Sequence, residues 1–174
     1  MFRRFFGGKR DVAAGTPLET CTFSVVDVET TGLFPRGHDR IVEIALIRLD
    51  SNGETLDEFL TLLNPGRDIG PTHIHGISTR DVLNAPRFPE IAGDIARRLA
   101  GNVFVAHNVR FDLDFVEVEF GHMGYALPPM AALCTMRLAE RFGGPLPSYS
   151  LASLCEHFQV LREEVHSALE DARV

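Results

Sequence analysis

Cysteine is scarce in this chain: Cys21, Cys134 and Cys155 are the only three among 174 residues, and no C-x-x-C pair occurs. Widely spaced thiols in odd number do not suit a disulfide framework and fit a reducing compartment, so the expected location is cytoplasmic. No apolar run approaches the ~20 residues that cross a bilayer, which excludes a helical membrane span. The opening MFRRFFGGKR is basic and aromatic but lacks the apolar core of a secretory signal. Internal repeats and low-complexity tracts are absent as well. Positive charge is also in short supply, with 17 Lys and Arg against 24 Asp and Glu for a formal net charge of -7. That balance excludes a protein that coats nucleic acid electrostatically. It does not exclude a nucleic-acid enzyme, because divalent cations in a carboxylate site reverse its local sign.

What is present is the composition of one globular unit, 45% hydrophobic and 24% charged. A chain of this length buries on the order of 70% of the surface it exposes when unfolded. Residues 1–20, with Gly-Gly and Ala-Ala-Gly-Thr-Pro, read as a flexible basic leader, and the domain is expected over residues 21–174.

Within that domain, FSVVDVET and DRIVEIALIRLD predict strands, SNGE a turn and LDEFLTLLNP a third strand. Residues 65–77 read as loop. Ser78 and Asp81 form a capping pair for a short helix, and PEIAGDIARRLAG predicts a longer one with Pro89 in its first turn. NVFVAHN fits a buried strand, after which Asn108 stands as a cap for the helix of VRFDLDFVEVEFGHMG. Two further helices are expected over TMRLAERF and SLASLCEHF, with Met136, Leu138 and Phe142 facing the core.

FSVVDVETTGL poses a chemical question. Alternation along a strand puts Phe23, Val25, Asp27 and Glu29 on one face, so two acids sit side by side. Carboxylates that close repel unless a cation, a shared proton or a metal lies between them. The window alone leaves open a metal-binding or catalytic pair and a solvated strand end. Asp112, early in a helix that follows a buried strand, and the ending HSALEDA, with His166 and Asp171, supply two more acids and an imidazole. Four carboxylates around two Mg²⁺ or Mn²⁺ ions suit two-metal phosphoryl chemistry, and a nearby histidine can accept the proton of an attacking water.

DVETTGL, HNVRFD and HSALED, in that order, resemble the three motifs of the DEDDh 3′→5′ exonucleases, whose members include proofreading epsilon subunits of bacterial DNA polymerase III. HGIS at 75–78 and YSLASLCEHF at 149–158 extend the likeness. The resemblance implies an α/β, ribonuclease-H-like fold: a five-stranded mixed sheet, second strand antiparallel, flanked by helices. Its implied chemistry is release of nucleoside 5′-monophosphates from a 3′ end. Asp27, Glu29, Asp112 and Asp171 would hold the two divalent metal ions, Mg²⁺ or Mn²⁺, and His166 would be the general base. Thr30, Thr31, Gly32 and Leu33 would receive the terminal nucleotide, with His75, Asn108 and Phe111 as neighbours. The expected partners are a single-stranded or frayed 3′ end of DNA, with RNA as an alternative, and a polymerase or another fused or associated domain. The resemblance also implies a longer last helix, so the expected domain is cut short there. A non-catalytic binding module on the same fold is the competing reading.

Other residues carry less. Asp114 falls on roughly the opposite helix face from Asp112. His166 and Asp171, five apart, would be separated by roughly 140° on one helix, so His166 must sit at or before the helix start. His73 and His75 give too few ligands for zinc. His38, His107, His122 and His157 have no pattern around them, and Glu43 reads as a partner for a basic neighbour without a catalytic role.

Overall fold

The computed structural model describes residues 12, 15–161 and 167–174. Strands β1 (Phe23–Thr30), β2 (Ile41–Leu49), β3 (Thr55–Leu62), β4 (Val103–Ala106) and β5 (Ala132–Cys134) form one sheet in the order β3-β2-β1-β4-β5. β2 is antiparallel to β1 and β3, while β4 is parallel to β1 and β5. The second strand therefore runs against the rest, as the resemblance implied. Helices are α1 (Thr72–His75), α2 (Thr79–Val82), α3 (Phe88–Leu99), α4 (Val109–His122), α5 (Thr135–Phe142), α6 (Leu151–Phe158) and α7 (Ala168–Arg173).

Strand alternation builds the layers. Val26 and Val28 of β1, with Ile44 and Leu46 of β2, meet Ile91, Ile95 and Leu99 of α3 and Phe115, Val116 and Phe120 of α4. Phe88 and Phe120 join the two helices edge to face with ring centroids 5.2 Å apart, a geometry worth about 0.5–1.5 kcal/mol beyond its area. The opposite face carries Val25, Ala45 and Ile47, against which α7 lays Ala168 and Ala172. Two alanines let that helix approach the sheet closely.

Several local expectations change. Residues 65–77 include the one-turn helix α1, closed by Gly76 at φ 72°. Three-residue β5 is too short to announce itself by periodicity. Asn108 holds the N-cap position of α4 but adopts φ 64° and makes no side-chain cap bond. Leu138 and Phe142 are 40% and 75% exposed, and no residue of α5 is buried. Instead of core, they line an open groove of about 550 Å³ with α6 and α7. Ser78 and Asp81 do form the expected capping box. Residues 1–11, 13 and 14 of the expected leader lie outside the described residues.

Candidate active site

β1 is fixed on both sides before it delivers its acids. It pairs with β2 from Phe23↔Leu49 to Thr30↔Ile41, and with β4 only over Phe23–Val25. Beyond Val25 the β4 side of the strand is open, and there the Val28 amide donates to Asp112 Oδ1 at 3.2 Å. Asp112 thus reaches β1 from the first turn of α4, an acid placed where a helix N-terminus favours negative charge.

Asp27 and Glu29 project on the opposite face from Val26 and Val28, toward α7. On that helix Ala168, Asp171 and Ala172 share one side, so the packing of the two alanines aims Asp171 at the sheet. Glu43 fixes the helix start: its Oε2 accepts from the Ala168 amide at 3.0 Å. Burial pushes the Glu43 carboxyl above its ordinary range, while that amide pulls it down. Arg173 Nη2 adds a 2.9 Å ion pair to Glu58 of β3.

Among the described residues, Asp27, Glu29 and Asp171 each offer a carboxylate oxygen within 4.8 Å of the others. Asp112, at 2% exposure, stands outside that trio but is close enough to feel the charges of Asp27 and Glu29. Its carboxyl is raised well above the usual carboxylate range, first by burial and then by the charge of Asp27, with Glu29 adding a smaller push. An all-carboxylate donor set suits a hard divalent cation such as Mg²⁺, Mn²⁺ or Ca²⁺, and a cation there would relieve the repulsion.

The turn after β1 is held from beneath by Asp39. Its carboxylate accepts from Thr31 Oγ1 at 3.0 Å, the Phe34 amide at 3.0 Å and Arg67 Nη1 at 3.2 Å. Thr30 and Thr31 turn their hydroxyls inward, Thr30 Oγ1 donating to the Gly32 carbonyl at 2.6 Å. A Cβ on Gly32 would lie 2.4 Å from Asp39 Oδ2, and one on Gly70 would lie 2.1 Å from the Thr31 carbonyl oxygen. Leu33, by contrast, is 70% exposed. Arg40 locks the far side, donating through Nε and Nη2 to Glu119 of α4 at 2.8 and 2.6 Å.

Of the sequence-predicted residues, Asp27, Glu29 and Asp171 come together, and Asp112 bonds to the Val28 amide between the two β1 acids. His166 lies outside the described residues; α7 starts at Ala168, so in sequence His166 precedes the helix. His75 is buried, its Nδ1 accepting from the Ile77 amide at 3.1 Å. Phe111 packs against the core, 5.0 Å from the Phe115 ring, and Asn108 is exposed. Asp114 faces away and pairs with Arg36 at 3.4 Å.

Two residues gain a place that sequence reasoning had not given them. Glu43 anchors α7, and its signal was an acid in an apolar strand. His107, inside HNVRFD, borders the groove beside Asp27 and Asp171. Its Nε2 lies 3.0 Å from the Tyr149 carbonyl and its Nδ1 3.0 Å from Thr135 Oγ1. A carbonyl only accepts, so Nε2 carries the proton and Nδ1 accepts from the hydroxyl. Burial lowers the His107 pKa, against the Tyr149 carbonyl and the Asp171 charge, which favour protonation. With both nitrogens engaged, His107 ties the end of β4 to α5 and to the segment before α6.

The 3′-5′ exonuclease DinG of Bacillus subtilis (strain 168) is 37% identical over 155 residues, 87% of this chain and 16% of the relative. The DNA polymerase III subunit epsilon of Treponema pallidum (strain Nichols) is 34% identical over 160 residues, 90% of this chain and 74% of the relative. E. coli Exonuclease I, solved in complex with a dT13 oligonucleotide, superposes with a TM-score of 0.76 at 23% identity, covering 88% of this chain and 39% of that one. The chain spans 16% to 27% of the length of the first curated relatives it matches. A sequence profile of the exonuclease family matches residues 24–174, and the chain belongs to that family.

Proposed function

We propose that this chain is a metal-dependent 3′→5′ exonuclease of the DEDDh type, releasing nucleoside 5′-monophosphates from single-stranded or frayed 3′ ends of DNA. The observation that carries the reading is the convergence of Asp27, Glu29 and Asp171 within 4.8 Å beside buried Asp112. Asp27, Glu29, Asp112 and Asp171 would hold two Mg²⁺ or Mn²⁺ ions. Such ions, when bound, polarise the phosphoryl oxygens and make water a better nucleophile.

The chain's own residues do the rest. The Thr30–Thr31–Gly32–Leu33 turn, rigid over Asp39, receives the terminal nucleotide, with His75, Asn108 and Phe111 around it. His166, two residues ahead of α7, takes the proton from the attacking water. Water adds to the phosphorus of the last phosphodiester, and the 3′-oxygen of the penultimate nucleotide leaves. Residues 21–174 act as the exonuclease domain. DNA is the favoured strand because the polymerase epsilon relative is a DNA polymerase subunit and Exonuclease I was solved with dT13. A polymerase or other associated domain is the partner this likeness suggests.

Chromatography of the products tests the chemistry. Incubation of a single-stranded oligonucleotide with Mn²⁺ should yield 5′-mononucleotides, and EDTA should abolish them. Nucleoside 3′-monophosphates, or internal fragments alone, would overturn the reading.

A further inference from the structure

A second groove, of opposite character, adjoins the groove that holds Asp27 and Asp171 at Leu138. It measures about 320 Å³ and runs between the start of α4 and the outer side of α5. Arg110, Arg137 and Arg141 line it, and no Asp or Glu does. In a chain of net charge -7 that segregation is notable in itself. Arg36, Arg40, Arg67, Arg97, Arg98 and Arg173 each face a carboxylate. Arg110, Arg137 and Arg141 are exposed and enter no ion pair among the described residues. Arg137 and Arg141 stand one turn apart on α5, roughly 6 Å along its axis.

The floor adds further positive potential. Cys134 lies where the starts of α4 and α5 meet. Burial raises its thiol pKa, but the backbone N–H groups of Arg137, Val109, Asn108 and Met136 bring it below the ordinary value. The groove meets the larger groove that holds Asp27 and Asp171 at Leu138 of α5, which lines both. Arg110, two residues before Asp112, points to roughly the opposite face of α4, and Asn108 lines the arginine groove at its end.

We infer that the Arg110–Arg137–Arg141 groove binds backbone phosphates of the substrate strand, upstream of the phosphodiester being cut. This rests on the exonuclease reading and extends it from the terminal nucleotide to the strand behind it. Cations at the reaction centre would attract only the phosphate being cut, so in a chain of net charge -7 the strand behind it needs contacts of its own, and arginine forks match phosphate oxygens.

The test uses the full chain carrying Asp27→Asn to prevent turnover, in Mg²⁺, with fluorescent (dT)12 followed by anisotropy across a salt series. Single-strand binding loses roughly 0.7 in log–log salt slope per phosphate contact removed. The triple variant R110Q/R137Q/R141Q should therefore bind with a slope shallower by about 2. The corresponding triple lysine variant should keep most of the slope, which separates charge from a structural role. Cys134 supplies a second readout, because Cys21 and Cys155 are buried. Its alkylation by iodoacetamide should slow when (dT)12 saturates the protein and not in the triple glutamine variant.

An unchanged slope in that variant, or alkylation indifferent to saturating (dT)12, overturns the inference. Equal protection by inorganic phosphate alone would also overturn it, assigning a free-anion site in place of a strand path. The two readings fail separately. Strand shortening by the unmodified chain with no slope change leaves the exonuclease and removes the groove. Binding and protection without hydrolysis by that chain does the reverse.

Discussion

Asp112→Asn should make the metal-free protein more stable while weakening its metal site. The amide keeps the shape of the side chain and the 3.2 Å bond from the Val28 amide, but it removes a carboxyl whose pKa is raised by burial and by Asp27. A carboxyl raised in the fold is protonated there at pH values where the unfolded chain has already lost its proton. Its stabilising contribution is full below the ordinary value of 3.8 and is lost as pH rises through the folded value. Within that window the wild type loses about 1.4 kcal/mol of stability per pH unit through this group, and Asp112→Asn does not. For a domain of this size that is a relative gain of roughly 3–6 °C in Tm per pH unit. Thermal unfolding in EDTA at a series of pH values, both proteins side by side, measures it. Added Mn²⁺ at about 100 times Kd should raise the wild type by about 2.7 kcal/mol and the variant by much less. Parallel pH profiles with the variant less stable throughout would refute the reasoning.

Other perturbations separate the parts of the site. Gly70→Ala puts a Cβ 2.1 Å from the Thr31 carbonyl oxygen at φ 75°; it should cost at least about 1–3 kcal/mol and raise KM for single-stranded DNA by displacing the Thr31 turn. Arg40→Met strands Glu119, which is 3% exposed, and should cost about 3–5 kcal/mol in a denaturant titration, whereas Arg40→Met/Glu119→Leu recovers much of it. Glu43→Ala leaves the Ala168 amide without its acceptor and loosens the helix carrying Asp171; Mn²⁺ affinity by calorimetry should fall about 10- to 100-fold with the circular dichroism spectrum retained.

Legibility followed the physics of each element. β1 and β2 were readable because strand alternation and a β-branched run coincide, and Ser78–Asp81 because a capping box is local chemistry. The convergence of Asp27, Glu29 and Asp171 was readable because the order of three motifs, rather than any single window, selected them. Leu138 and Phe142 misled because helical spacing reports a stripe of apolar side chains and not what covers it; here the stripe faces an open groove. Glu43 and His107 went unassigned for a related reason. Their roles depend on partners 125 and 42 residues away, and no local pattern encodes an amide of α7 or a carbonyl before α6. Cys134 and the arginines around its groove share that trait, since α4 and α5 bring them together across the sheet edge.

The most direct test follows a 5′-labelled single strand of DNA, with RNA of the same sequence beside it, in Mn²⁺ or Mg²⁺. A ladder shortening from the 3′ end, lost in EDTA and reduced by about a thousandfold or more in Asp27→Ala, is the predicted result, with DNA the preferred strand. A ladder that persists undiminished in Asp27→Ala, or no shortening of either strand by the wild type with metal bound, would contradict the assignment of the acid cluster as the catalytic centre.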